Sequence, residues 1–154
     1  MSYEVPRYLV EAYYAVFATR DADKLAQYLH DDIEWTISGP VDYLTFCGTH
    51  RGKAAVIDLI KRQIPLVLRT HSFASEAVVV EGDQAAMLSR QSWRRTADDR
   101  AVSYRVANFV RFRDGKVIEN ISLIDTFDAV EQILGRPLDV HDAPRIGEDG
   151  IVAV

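Results

Sequence analysis

Asp125 has the most direct route to chemistry in this sequence. It follows the alternating run Lys116 to Ile124, and a carboxylate that closes an inward-facing apolar row loses hydration, which raises its pKa toward that of a general base. The same position, just before Thr126 and Phe127, also suits a helix N-cap. Tyr13 lies on an apolar helical stripe, where a phenol either donates to a developing oxyanion or sits in the core. Asn108 and Gln91 are amides on faces that alternation turns inward, and a buried amide needs a partner, in the other amide or in a ligand. Asp125, Tyr13 and Asn108 are therefore the candidate catalytic set. Trp35, Ile37, Gln91 and Trp93, with Phe17, Val106 and Leu123, are the candidate ligand-binding set. Its two tryptophans suit a flat or lipid-like molecule and equally suit plain core packing.

Other reactive side chains are less well placed. Cys47 is the only cysteine, so no internal disulfide can form, and no base stands beside it in sequence. His50 and His71 fall in a loop and at a strand start, as solvated or structural histidines do. No Cys/His cluster has the spacing of a zinc site, and the reading carries no metal and no cofactor.

The elements that position these groups follow from periodicity. Leu9, Ala12, Tyr13, Val16 and Phe17 recur at helical spacing between Pro6 and Thr19, with Pro6 in the first turn. A short helix follows over about Asp23 to Leu29, with Asp21 as N-cap. Ile33, Trp35 and Ile37 alternate as a half-buried strand, and Ser38 to Gly52 reads as a loop. A third helix spans Lys53 to about Leu66, ended or kinked by Pro65. Period-two patterning then predicts strands over Arg69 to Val80, Gln84 to Arg95, Ala101 to Arg113 and Lys116 to Ile124, joined by short turns as an antiparallel meander. The Asp114-Gly115 pair suits a tight hairpin. Alternation turns Met87, Ser89, Gln91 and Trp93 inward, with Tyr104, Val106, Asn108, Val110 and Phe112, and on the last strand Ile121 and Leu123. A helix from Thr126 to Leu134 ends at Gly135. Residues 1–135 are read as the domain, and residues 136–154, rich in proline and glycine, as an extended tail.

A chain of 154 residues, 48% hydrophobic and 27% charged, suits one globular domain. Its longest apolar run, Ala12 to Ala18, is too short to span a membrane, and the N-terminus lacks the pattern of a signal peptide, so the expected location is cytoplasmic with no membrane partner. A net charge of −5 with interspersed signs argues against a nucleic-acid partner. Helices followed by a long sheet define an α+β domain.

The strings AYYAVFATRDADKLAQYLHDDIEW, GTHRGKAAVIDLI, VEGDQAA and FVRFRDGKVIENISLIDTFDAVEQILG, in this order and spacing, resemble the nuclear-transport-factor-two-like superfamily, within it the SnoaL-like polyketide cyclase and ketosteroid-isomerase-like group. The resemblance covers about residues 5–135. It implies a cone-shaped barrel, a curved antiparallel sheet wrapped around the N-terminal helices with one apolar cavity. It also implies pairing into a homodimer. Tyr13 matches the oxyanion-binding tyrosine of the ketosteroid isomerases and Asn108 the place of their second acid, whereas Ile37 stands where their basic aspartate would be. Asp125 matches the aspartate that SnoaL-like cyclases use, while Ser103 and Arg105 match only part of the epoxide-hydrolase triad. The implied function is a cofactor-independent isomerase or cyclase acting on a small hydrophobic carbonyl compound by proton transfer. The alternative is a non-catalytic binding protein for a lipid-like or aromatic molecule.

Overall fold

The apolar stripe of the first helix fixes the interior. In a computed structural model, which describes residues 3–139, helix α1 (Arg7–Thr19) buries Val10, Tyr13, Tyr14 and Phe17. Tyr14, which the stripe leaves out, is buried because its ring stacks edge-on against Phe17. Pro6 precedes the helix in extended conformation, and Arg20 ends it with φ 57°, a left-handed turn that is cheap only for glycine. Helix α2 (Ala22–Ala26) starts from Asp21, whose side chain accepts from the Lys24 N–H at 3.1 Å.

Strands β1 (Leu29–Ser38), β2 (Gly48–Arg51), β3 (Leu68–Glu81), β4 (Gln84–Arg95), β5 (Ala101–Arg113) and β6 (Lys116–Ile124) form one sheet in the order β2-β1-β6-β5-β4-β3. The β3 to β6 meander is antiparallel as its short turns require, but β1 lies parallel to β6. The sheet is therefore mixed, and with β2 and β3 at its edges it does not close into a barrel. This corrects the wholly antiparallel, barrel-shaped expectation. The physical reason is chain order: β1 is laid down before the meander, and the last meander strand pairs with its free edge. Strand β2, hidden in the segment read as a loop, pairs with β1 through Ile37 and Gly48 at one end and Glu34 and Arg51 at the other.

Between β2 and β3 runs a helical segment that changes pitch. Helix α3 (Lys53–Asp58) continues as a π-helical turn over Leu59–Gln63 and a 3-10 turn over Ile64–Leu66, where Pro65 lacks the N–H to extend it. Helix α4 (Thr126–Leu134) follows β6, buries Ala129, Val130 and Ile133, and ends at Gly135 in left-handed conformation. Gln132 of α4 accepts from the Ser103 N–H at 2.7 Å and donates to its carbonyl at 2.8 Å, so the helix caps the part of β5 that β6 does not reach. The reading of residues 136–154 as a tail falls, from Val140 onward, outside the described residues.

One irregularity decides which side chains of β6 face the core. Phe112 pairs with Val117 but Arg111 pairs with Glu119, so Ile118 is an extra residue in β6. A single inserted residue moves every following side chain to the opposite face. Beyond the bulge Asn120 and Ser122 are buried, while Ile121 and Leu123 are 36% and 47% exposed. The expectation that Ile121 and Leu123 point inward is thus overturned, and Leu123 leaves the candidate ligand-binding set.

Candidate functional site

The inner faces of β1, β4 and β5 converge with the end of α1 and the π-helical turn on one pocket. Phe17, Trp35, Ile37, Gln91, Trp93 and Val106 all line it. The sequence does not single out Arg20, Phe46, Ile60 and Ile64, or Leu68, Tyr104, Ser122 and Ile124, which complete the lining. Ile60 and Ile64, four residues apart, both reach the pocket from the pitch-changing segment. The interior is narrow, about 40 Å³, and adjoins a vestibule of about 220 Å³ that shares Arg20, Ile60, Ile64, Leu68 and Trp93 with it. Exposed Pro65, Arg69 and Thr70 carry the vestibule to the surface.

Arg20 is the charged residue of this pocket. Its left-handed backbone turns the side chain back under α1, where the guanidinium lies 4.4 Å from the Phe17 ring centroid and 5.1 Å from that of Trp93. Its Nη2–H donates to Gln91 Oε1 at 2.6 Å, and Gln91 Nε2 donates to Ser89 Oγ at 3.3 Å. The Arg20 Nε is buried without a hydrogen-bond partner among the described residues. Burial, the main effect, lowers the guanidinium pKa to about 10, while neighbouring Tyr104 and Tyr13 pull it up. It remains cationic at neutral pH. Burial likewise raises the Tyr104 phenol above its usual value, so that side chain stays neutral. A signal for Arg20 exists in the sequence: positions 13, 17 and 20 continue one helical face past the last predicted helical residue.

The three candidate catalytic residues do not meet in the pocket. Asp125 is exposed, because the β6 bulge leaves it out of step with the inward row and removes the desolvation argued from sequence. Its carbonyl accepts the Ala129 N–H at 2.9 Å, so its backbone opens α4, but its side chain makes no capping bond. Tyr13 is fully buried among Tyr14, Phe17, Tyr28 and Phe112, its hydroxyl has no partner among the described residues, and burial holds its pKa well above the ordinary value. Asn108 belongs to a buried polar cluster. Its Nδ2 donates to Asn120 Oδ1 and to Ser122 Oγ, the latter at 3.0 Å, and Asn120 Nδ2 donates to Ser122 Oγ at 3.3 Å. Sequence offers Asn108 either Gln91 or a ligand as partner, whereas the bulge brings Asn120 and Ser122 to it. Neither Tyr13 nor Asn108 lines the pocket.

Among the described residues the lining contains no carboxylate and no histidine. His50, half-buried, makes a bond of 3.2 Å between Nε2 and the Phe46 carbonyl, and His71 is exposed. Cys47 is buried, and burial pushes its thiol up to about 11. Among the described residues no group of three or more His, Cys, Asp or Glu is placed to hold a metal ion, and no helix is long and apolar enough to cross a membrane.

A helical hairpin against a six-stranded sheet with a pocket between them is the nuclear-transport-factor-two-like, ketosteroid-isomerase-like fold. The profile of the SnoaL-like domain matches residues 10–120, and the chain belongs to this family. A candidate isomerase from Rhodopseudomonas palustris is 36% identical, with a TM-score of 0.71 over 82% of this chain and 93% of that one. A protein of the same fold and unknown function from Burkholderia pseudomallei is 21% identical, with a TM-score of 0.73 over 82% and 95%. TerC, co-crystallized with polyporic acid, is 19% identical, with a TM-score of 0.66 over 80% and 96%. No curated protein matches the chain.

Proposed function

We propose that this protein binds a small, flat, oxygen-bearing hydrophobic molecule in the pocket between α1 and the sheet. The observation that carries this reading is the lining: Phe17, Trp35 and Trp93 surround one polar corner made by Arg20 and Gln91. Apolar walls with a few convergent polar groups are the usual form of a small-molecule site. Family membership and the fold shared with TerC support it. The interior of about 40 Å³ is smaller than a ring, so a ligand of one or two rings would lie mostly in the vestibule of about 220 Å³ with its polar end reaching inward.

Trp35 and Trp93 are the only tryptophans, so intrinsic fluorescence reports on the pocket directly. Native mass spectrometry of the purified protein, followed by fluorescence titration with any molecule released or with aromatic carbonyl compounds, tests the reading. We expect saturable changes in emission that Trp93→Phe reduces. Absence of any change over a panel of one- and two-ring compounds would sink it.

A second reading keeps the isomerase or cyclase chemistry, with proton removal next to a carbonyl and the enolate oxygen at Arg20 and Gln91. It is favoured by the 36% identity to the Rhodopseudomonas palustris protein. Because the lining has no carboxylate, the proton acceptor would come from outside it, and Asp125, next after the lining residue Ile124, is the residue to test. Exchange of substrate α-protons in deuterated water, read by NMR, should then fall at least about 100-fold in Asp125→Asn.

Homodimer formation belongs to this proposal as well. Val79, Phe109, Ile121 and Leu123 expose apolar surface on the face of the sheet opposite the pocket, and a second copy would cover it. Sedimentation of the wild type as a dimer and of Phe109→Glu as a monomer is expected.

A further inference from the structure

The guanidinium of Arg20 carries five N–H donors, yet its one hydrogen bond among the described residues goes to neutral Gln91. No carboxylate of the described residues forms an ion pair with it. Exposed cations in the same molecule do find acids, as Arg69 finds Asp99 at 2.7 Å and Arg105 finds Glu76 at 2.9 Å. Arg20 is half-buried with its Nε fully covered, and a charge taken even partly out of water without an opposite charge is costly until something pairs it.

The contacts of the guanidinium leave donors unused. The rings of Phe17 and Trp93 lie against the guanidinium, Gln91 takes one of its terminal nitrogens, and Nε is buried without an acceptor. Among the described residues the other buried side-chain nitrogen donors without partners are the indole Nε1 groups of Trp35 and Trp93, both from lining residues. All three lack acceptors. The vestibule adds no acid to its lining, and its Arg69 is already paired with Asp99, so Arg20 is the cation left for a ligand there.

We infer that the ligand is an anion: a small aromatic or otherwise flat molecule whose carboxylate, or an oxygen of like charge such as a phenolate or enolate, sits on the edge of the Arg20 guanidinium. This rests on the pocket being a ligand site and goes further by naming the charge of what enters it. A carboxylate supplies acceptors only, matches a guanidinium edge with two parallel bonds and cancels the buried charge.

The test pairs acids with neutral compounds of nearly the same shape: benzoate against benzamide, and 2-naphthoate against 2-naphthamide, titrated into the full chain by calorimetry at pH 7. The acids should bind about 10- to 100-fold more tightly than the amides. Arg20→Met should lose that preference, its affinity for each acid falling to about that for the matching amide, because methionine retains the packing and removes the charge. Arg20→Lys, which keeps the charge without the planar edge, should retain part of the preference, and it serves if the methionine variant does not fold. Equal binding of acid and amide by the wild type overturns the inference and leaves the pocket reading standing. So does an acid preference that survives in a folded Arg20→Met. Failure of all four compounds to bind at millimolar concentration overturns both.

Discussion

Arg20 shows how a single side chain sets the chemistry of a pocket. A guanidinium lowered to about 10 and a phenol raised at Tyr104 are the titratable groups of the lining, so nothing there changes charge between pH 6 and 9. The affinity for a carboxylate ligand should therefore vary by less than about twofold across that range and decline above about pH 10, as the cation is lost. Calorimetric titration at several pH values checks this, and a transition near pH 6.5 would place a histidine in the site. Cys47 gives an independent prediction. Its thiol, raised to about 11 by burial, should resist a disulfide reagent at pH 8 in the native protein and react fully in urea. Because the unfolded chain releases this proton first, Cys47 should make stability fall as pH rises from about 9 to 11.

At the scale of elements, the β6 bulge is the decisive feature. It turns Asn120 and Ser122 inward to meet Asn108, and it turns Leu123 and Asp125 out. Asn108→Ala should remove the Nδ2 donor from the buried acceptors of Asn120 and Ser122 and destabilise the protein by about 1–3 kcal/mol in urea unfolding. Deleting Ile118 is a stronger test of the register. It leaves Val117 and Asn120 two apart, so simple alternation should keep Asn120 and Ser122 inward and Ile121 and Leu123 outward, and the variant should fold with the Asn108 cluster intact and an unfolding midpoint above that of Asn108→Ala. A midpoint below that of Asn108→Ala would show that the extra residue does more than set the facing of β6.

At the scale of the whole molecule, a helical hairpin laid on one face of an open mixed sheet leaves a pocket at the end of α1, closed by the π-helical turn and the loop bearing Phe46. The opposite face is mixed, with Arg105 and Arg111 paired to Glu76 and Glu119 beside exposed Phe109 and Leu123. A ligand that binds only the folded pocket raises the thermal midpoint by mass action. A fixed concentration of 2-naphthoate should therefore raise the midpoint of the wild type by several degrees and that of Arg20→Met by clearly less, measured by differential scanning fluorimetry.

Much of this molecule was legible in its residues. The spacing of Tyr13 and Phe17, the alternation around Trp35, and the inward rows from Met87 to Trp93 and from Tyr104 to Phe112 are local periodicities, which depend only on backbone geometry. They place Phe17, Trp35, Ile37, Gln91, Trp93 and Val106 together on inner faces, and their order along the chain resembles the family to which the chain belongs. Three matters were decided in three dimensions: the parallel pairing of β1 with β6, the extra residue at Ile118, and the company kept by Arg20. A strand's partner and register depend on contacts distant in sequence, and a one-residue slip there reverses every side chain after it without altering the alternation that a reader sees. A charge at a helix end reads as solvated until tertiary packing covers it with Phe17 and Trp93 and places no carboxylate beside it.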